Sequence, residues 1–219
     1  MQELPGITPQ TLILADRLVE REFKVVMPHL FGPIGKKRVL ANSIRVLCMR
    51  KEFHIWASGK SSPIVDWLSA LCLKLREDHQ VPGIAAIGMC LTGDFAISLM
   101  ANEAVLASYS SQPSLPLFSK NKLPFSEAEV KAIRERLDTH GPMKCARFEH
   151  DPTCKAGKFE AIRAAFNDGD HERIQMDTLD DGGEKLHAIL TLHYDHTPGH
   201  PTRKKLDEVV DYFDQALTI

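Results

Sequence analysis

Helical and strand-like hydrophobic patterns alternate along the chain, which is typical of an α/β protein with a mainly parallel sheet and helices on both of its faces. Apolar residues at helical spacing predict helices over 9–21, 62–75, 94–100, 126–137, 155–166 and 201–217. Short apolar runs predict strands over 23–27, 43–49, 84–88, 105–108, 143–148 and 173–178. No internal repeat and no dividing linker interrupts this pattern. We therefore expect one domain over residues 1–219, in which 110–140 forms a cap-like insertion.

Composition and charge exclude several classes of protein. The 27 basic and 29 acidic residues give a formal net charge of −2, and the basic clusters are short and scattered, so we expect no nucleic-acid partner. The longest apolar stretch, 81–100, contains Pro82, three glycines and Asp94, which argues against a membrane-spanning helix. The first residues lack the pattern of a signal peptide, which favours a cytoplasmic location. The five cysteines are an odd number, include no CxxC pair and do not predict a disulfide framework.

The most informative motif is Gly88-Met89-Cys90-Leu91-Thr92-Gly93, which lies between a predicted strand and a predicted helix. A sharp turn there would present Cys90 at the carboxyl end of the sheet, as in a nucleophile elbow with Cys in place of Ser. The backbone N–H groups that follow, beginning with that of Leu91, would favour a thiolate and could hold an oxyanion. The alternative is a buried cysteine on a glycine-rich turn.

A nucleophilic cysteine also needs a base and an acid, which in this fold follow later in the chain in the order acid and then His. Asp151 directly follows a predicted strand, and His187 follows the loop after the last predicted strand. A capping role for Asp151 is the alternative. His200 is a second candidate for the base, although its place before Pro201 also fits the start of a helix.

Four histidines crowd residues 184–200, which raises the question of a zinc site. They are His187, His193, His196 and His200. His193 and His196 are three residues apart, but Pro198 and Gly199 break the segment, and no helix of the length that carries metal-binding His pairs is evident. We therefore predict no metal and no cofactor.

Taken together, these residues resemble the dienelactone hydrolase family of α/β-hydrolases over essentially the whole chain. Gln2-Glu3-Leu4-Pro5-Gly6 is similar to the family's Q-E turn, Val26-Met27-Pro28-His29-Leu30 to its V-x-x-P-D-L strand end, and residues 88–93 to its cysteine elbow. The resemblance implies a Cys90–His187–Asp151 triad that cleaves a small-molecule carboxylic ester or lactone.

The resemblance also implies roles for residues around the triad. The N–H groups of Leu4 and Leu91 would form the oxyanion hole, and Glu3 would lie beside Cys90 and govern its ionisation. Arg50 is a candidate for the arginine that holds the substrate carboxylate in this family. A homodimer is allowed, although the sequence leaves the oligomeric state open.

Three departures from the family pattern affect this interpretation. Thr92 and Asp94 flank Gly93 where the family has small residues, and the segment 110–137 differs from the short connection usual there. The Q-E turn normally closes a central strand, yet it stands at residues 2–6. The fold would then dispense with its first strands and leave a sheet edge for a partner to cover, unless the chain start is assigned late.

A catalytically silent protein of this fold, or a redox-responsive one that uses Cys90 with Cys154, is the alternative.

Overall fold

The protein has an α/β fold built on a four-stranded parallel sheet. A computed structural model describes residues 1–48, 62–115 and 123–218. The strands are β1 (Ile84–Met89), β2 (Val105–Ser111), β3 (Met143–Phe148) and β4 (Ile174–Leu179). They lie in the sheet in chain order, and each pairs in parallel with the next. All four carboxyl ends therefore lie along one edge of the sheet, where ligands bind in open α/β folds.

Helices cover both faces of the sheet. They are α1 (Pro9–Val19), α2 (Val39–Cys48), α3 (Pro63–His79), α4 (Gly93–Leu99), α5 (Glu127–His140), α6 (Ala156–Phe166) and α7 (Pro201–Leu217). One buried cluster joins α3, α4, α5 and α6 to residues such as Cys145 of β3, and a second joins α1 and α7 to residues such as Phe148. Successive side chains of a strand point to opposite faces, so both sides of the sheet are buried, as expected for a parallel sheet.

Two of the predicted strands are wrong. Residues 43–49 were expected to form a strand, but 43–48 lie in α2, where Asn42 and Val46 are buried one helical turn apart. Residues 23–27 run without regular structure, and Val26 and Met27 are exposed. Short apolar runs do not distinguish a strand from a buried helix, and a strand also needs a paired neighbour to satisfy its backbone.

The outer edge of β1 carries no strand among the described residues. A cavity of about 460 Å³ lies there, lined mainly by apolar side chains of α1, α3, β1 and residues 22–28. The amino group of Met1 donates a hydrogen bond to the carbonyl of Ile87 at this edge. In the part of the chain that the structure describes, the sheet is therefore open beside the strand that leads to Cys90.

The helix within the predicted cap segment packs in the same layer as its neighbours. Ile133 and Leu137 of α5 are buried in the cluster shared with α4 and α6, so α5 occupies the place of a crossover helix between β2 and β3. Residues 116–122 of that segment lie outside the described residues. Within the ranges that the structure describes, no helix has both the length and the apolar character needed to cross a membrane.

Candidate active site

Cys90 lies on a sharp turn at the carboxyl end of β1. A short 3-10 turn, Cys90–Thr92, joins β1 directly to α4. The φ angle of Cys90 is 56°, a left-handed conformation that costs a non-glycine residue roughly 1–3 kcal/mol and is concentrated at functional sites. The Thr92 hydroxyl holds the turn, because it accepts from the N–H of Met89 at 3.0 Å and donates to the Met89 carbonyl at 3.1 Å. The turn thus has the strained strand-to-helix geometry of a nucleophile elbow.

Glycine is required at position 88 for this turn to form. A Cβ there would lie 2.1 Å from the carbonyl oxygen of Thr92 and 2.8 Å from the Cβ of Ala96. At Gly93 a Cβ would lie 2.8 Å from the Cα of Pro113, in the segment that follows β2. Gly88 therefore allows α4 to pass close to β1, and Gly93 allows the loop after β2 to pass close to α4.

Asp151 and His187 form a hydrogen-bonded pair at the same edge of the sheet. Asp151 follows β3 and His187 follows β4, and His187 Nδ1 lies 2.7 Å from Asp151 Oδ2 and 2.9 Å from Oδ1. Because an ionised carboxylate only accepts hydrogen bonds, Nδ1 carries the proton that it donates. Asp151 Oδ1 also accepts from the N–H groups of Thr153 at 2.7 Å and Cys154 at 2.8 Å, and the carboxylate is fully buried. The acid is therefore held in one orientation.

The side chain of His187 also interacts with the side chain of Cys90. Nε2 is buried and has no hydrogen-bond partner among the described residues. Burial lowers the pKa of His187, but the hydrogen bond to Asp151, the interaction with the Cys90 side chain and the charge of the Asp151 carboxylate outweigh it and raise the pKa to about 10. The charged imidazolium form of His187 is thus stabilised where the ring lies between Asp151 and Cys90.

Glu3 lies in the same buried region and is held at both oxygens. Gln112 Nε2 donates to Oε1 at 3.0 Å, and Thr191 Oγ1 donates to Oε2 at 2.8 Å. Burial raises the pKa of Glu3, against the two hydrogen bonds and the nearby positive charge of His187, which lower it. A buried carboxyl whose pKa is raised and which interacts with His187 can influence the protonation of that imidazole.

The other residues of the Q-E turn tie it to the segment that precedes α2. Gln2 Nε2 donates to the Phe31 carbonyl at 2.9 Å, and Gln2 Oε1 accepts from the Leu30 N–H at 3.1 Å. The two motifs at 2–6 and 26–30 are therefore brought together in space. Leu4 packs against the large apolar cluster to which Cys90 and Leu91 belong, and the oxyanion hole formed by Leu4 and Leu91 stays a prediction.

Asp94, which follows the elbow, forms a fully buried ion pair with Lys158 of α6. Lys158 Nζ lies 2.5 Å from Asp94 Oδ1 and also donates to the Leu115 carbonyl, while Asp94 Oδ2 accepts from the Leu115 N–H at 2.8 Å. The charge at position 94, unusual for the family that the sequence resembles, is therefore neutralised locally. It joins α4, α6 and the loop after β2.

Several predicted residues take other positions. His200 caps α7, where its Nδ1 accepts from the N–H of Thr202 at 3.3 Å, so His187 and not His200 pairs with the acid. Arg50 lies outside the described residues. Among those residues, no group of three or more His, Cys, Asp or Glu side chains could hold a metal ion. All five cysteines are free thiols, and Cys48 alone is exposed.

Three side chains at the site were not predicted as functional: Gln112, Thr191 and His193. Gln112 follows β2, so its place at the end of a parallel strand was a usable signal. Thr191 and His193 lie in an irregular turn, where only the tertiary structure reveals their partners.

Searches against protein-family models and against curated proteins returned no match to this chain. The family resemblance therefore rests on the motifs quoted above and remains a prediction.

Proposed function

We propose that the protein is a cysteine-dependent hydrolase of carboxylic esters or lactones, with an α/β-hydrolase fold of the dienelactone hydrolase type. The observation that carries the proposal is the strained Cys90 at the carboxyl end of β1, next to a His187 imidazole that Asp151 orients at 2.7 Å. These residues supply a nucleophile, a base and an orienting acid in the spatial order that acyl transfer requires.

In the proposed reaction, the Cys90 thiolate attacks the carbonyl carbon of the substrate. The N–H groups of Leu91 and Leu4 stabilise the oxyanion that forms. His187 Nε2 then donates its proton to the departing alkoxide, which leaves a thioester on Cys90; in a lactone the new hydroxyl stays attached to the acyl group. A water molecule loses a proton to His187 and attacks the thioester, and the carboxylic acid and the thiolate are released. Asp151 stabilises the imidazolium in both halves of the reaction.

The buried Glu3 is a candidate for controlling the charge state of this pair. When Glu3 is ionised, its negative charge stabilises the His187 imidazolium, and protonation of Glu3 removes that charge. Burial raises the pKa of Glu3 and favours its protonated form, whereas hydrogen bonds from Gln112 and Thr191 favour the ionised form. The proposed reaction needs no cofactor, and a cytoplasmic location remains a prediction.

The test measures turnover of small aryl esters and lactones together with alkylation of Cys90 by iodoacetamide. Cys48 is exposed and would react as well, so both assays use a Cys48→Ser background, whose own turnover should equal that of the wild type. Cys90→Ala should abolish turnover and alkylation, and His187→Ala should slow alkylation at neutral pH. Turnover that survives Cys90→Ala would refute the proposal. Rapid alkylation of Cys90 without hydrolysis of any ester or lactone would favour the redox-responsive alternative.

A further inference from the structure

The turn after His187 is closed by the side chain of His193. His193 Nδ1 accepts hydrogen bonds from the backbone N–H groups of His187 and Ala188, each at 3.0 Å. The backbone N–H of His193 donates to the Ala188 carbonyl at 3.0 Å, which closes the same turn a second time. One residue thus satisfies two consecutive backbone donors beside the base and fixes the path of the chain there.

These contacts determine the protonation of His193. An Nδ1 that accepts two hydrogen bonds carries no proton, so the neutral ring has its proton on Nε2. Burial, followed by the positive charge of His187, lowers the pKa of His193, which is consistent with a ring that stays neutral. Protonation of Nδ1 would remove both acceptor contacts.

The ring of His193 also contacts the strand that leads to the acid. It meets the Phe148 ring edge-on, with 6.3 Å between ring centroids and an angle of 74° between the planes. Phe148 ends β3, three residues before Asp151. His193 therefore lies between the segment that carries the acid and the segment that carries the base, and it contacts both.

The same turn holds Glu3. Thr191 lies two residues before His193, donates to Glu3 Oε2 at 2.8 Å, and accepts at its carbonyl from the N–H of Tyr194 at 3.2 Å. A displacement of this turn would move the His187 backbone and one of the two hydrogen-bond donors to Glu3 together.

We propose that His193 is a positioning residue that sets the orientation of the His187 imidazole through the two backbone N–H groups held by its Nδ1. The inference rests on the proposed function, because it assigns His187 as the base. It concerns the geometry of the Cys90–His187 pair, so it is measurable without any substrate.

Three variants separate the acceptor atom from the bulk of the ring. His193→Phe keeps an aromatic ring against Phe148 but removes the acceptor, whereas His193→Asn provides a side-chain oxygen near the position of Nδ1. His196→Phe, at an exposed histidine of the same segment, is the matched control. All are made in the Cys48→Ser background.

We expect His193→Phe to slow alkylation of Cys90 at neutral pH and to lower kcat about 100-fold with a smaller effect on KM, as for an ångström-scale displacement of a catalytic group. His193→Asn should restore both rates to within about tenfold of the wild type, because its oxygen can accept the two N–H groups. His196→Phe should match the wild type. A folded His193→Phe protein that alkylates like the wild type would overturn the inference.

A measurement on the unsubstituted protein tests the inference even if His193→Phe does not fold. Nitrogen-15 NMR of the imidazole rings reports which nitrogen carries the proton, and we expect His193 as the Nε2–H tautomer. An Nδ1–H tautomer would overturn the inference. If the wild type alkylates rapidly and the variants behave as expected, but no ester is hydrolysed, the proposed function fails while the positioning role of His193 stands.

Discussion

Replacement of Asp151 by Asn tests the proposed mechanism most directly, because it changes one charge and preserves shape. The amide oxygen of Asn can still accept from the N–H groups of Thr153 and Cys154, which contact Oδ1 of Asp151 at 2.7 and 2.8 Å. The amide NH₂ would then face His187 Nδ1. Because NH₂ is a donor, Nδ1 would have to accept and the ring proton would move to Nε2, where it prevents His187 from taking a proton.

The structure gives the scale of the effect. The surroundings of His187 raise its pKa from 6.5 to about 10 despite burial, which lowers it. At about 1.36 kcal/mol per pKa unit, this corresponds to roughly 5 kcal/mol of stabilisation of the imidazolium, shared between Asp151 and Cys90. Loss of the acid from a catalytic triad typically lowers kcat about 10⁴-fold, or roughly 5 kcal/mol, which is of the same size.

The assay compares kcat/KM of the wild type, Asp151→Asn and Asp170→Asn on an aryl ester, with chemical denaturation as the check of folding. Asp170 is an exposed acid, so its variant controls for the loss of one negative charge. We expect a loss of about 10³- to 10⁴-fold for Asp151→Asn and none for the control. A folded Asp151→Asn protein within about tenfold of the wild type would refute the reasoning.

Three further predictions concern stability. The raised pKa of His187 should contribute stability fully below pH 6.5 and lose that contribution as the pH rises toward about 10; urea unfolding across this range should show the decline, and a flat profile would contradict it. Lys158→Met leaves the buried Asp94 carboxylate without its ion-pair partner and should lower the free energy of unfolding by about 3–5 kcal/mol. The double variant with Asp94→Asn should recover most of that loss. Gly88→Ala places a methyl group against the Thr92 carbonyl and should cost at least about 1–3 kcal/mol, measured as a shift in the denaturation midpoint; an unchanged midpoint would argue against the close contact at the elbow.

The described chain leaves one edge of the sheet open, directly beside the strand that presents Cys90. The apolar cavity of about 460 Å³ at this edge separates residues 22–28 from β1. The run at 23–27 is apolar enough for a buried strand, but it has no ladder partner in the described residues. The hydrophobic pattern of this run predicts burial, but a strand forms only where the backbone pairs with a neighbouring strand.

The sequence by itself determined the α/β class and the order of most elements, because hydrophobic period and helix caps act over a few neighbouring residues. Thr8 and Ser126, for example, cap the helices that the sequence predicts to begin there. It also predicted that Cys90, Asp151 and His187 lie at one edge of the sheet, since residues that follow parallel strands meet there.

The tertiary structure alone decided which groups hold these residues in place. Gln112 contacts Glu3 across a sequence separation of 109 positions, and Lys158 contacts Asp94 across a separation of 64 positions. The role of His193 depends on a turn whose path no local pattern specifies. Such contacts are set by packing between distant segments, and hydrophobic period carries no information about them.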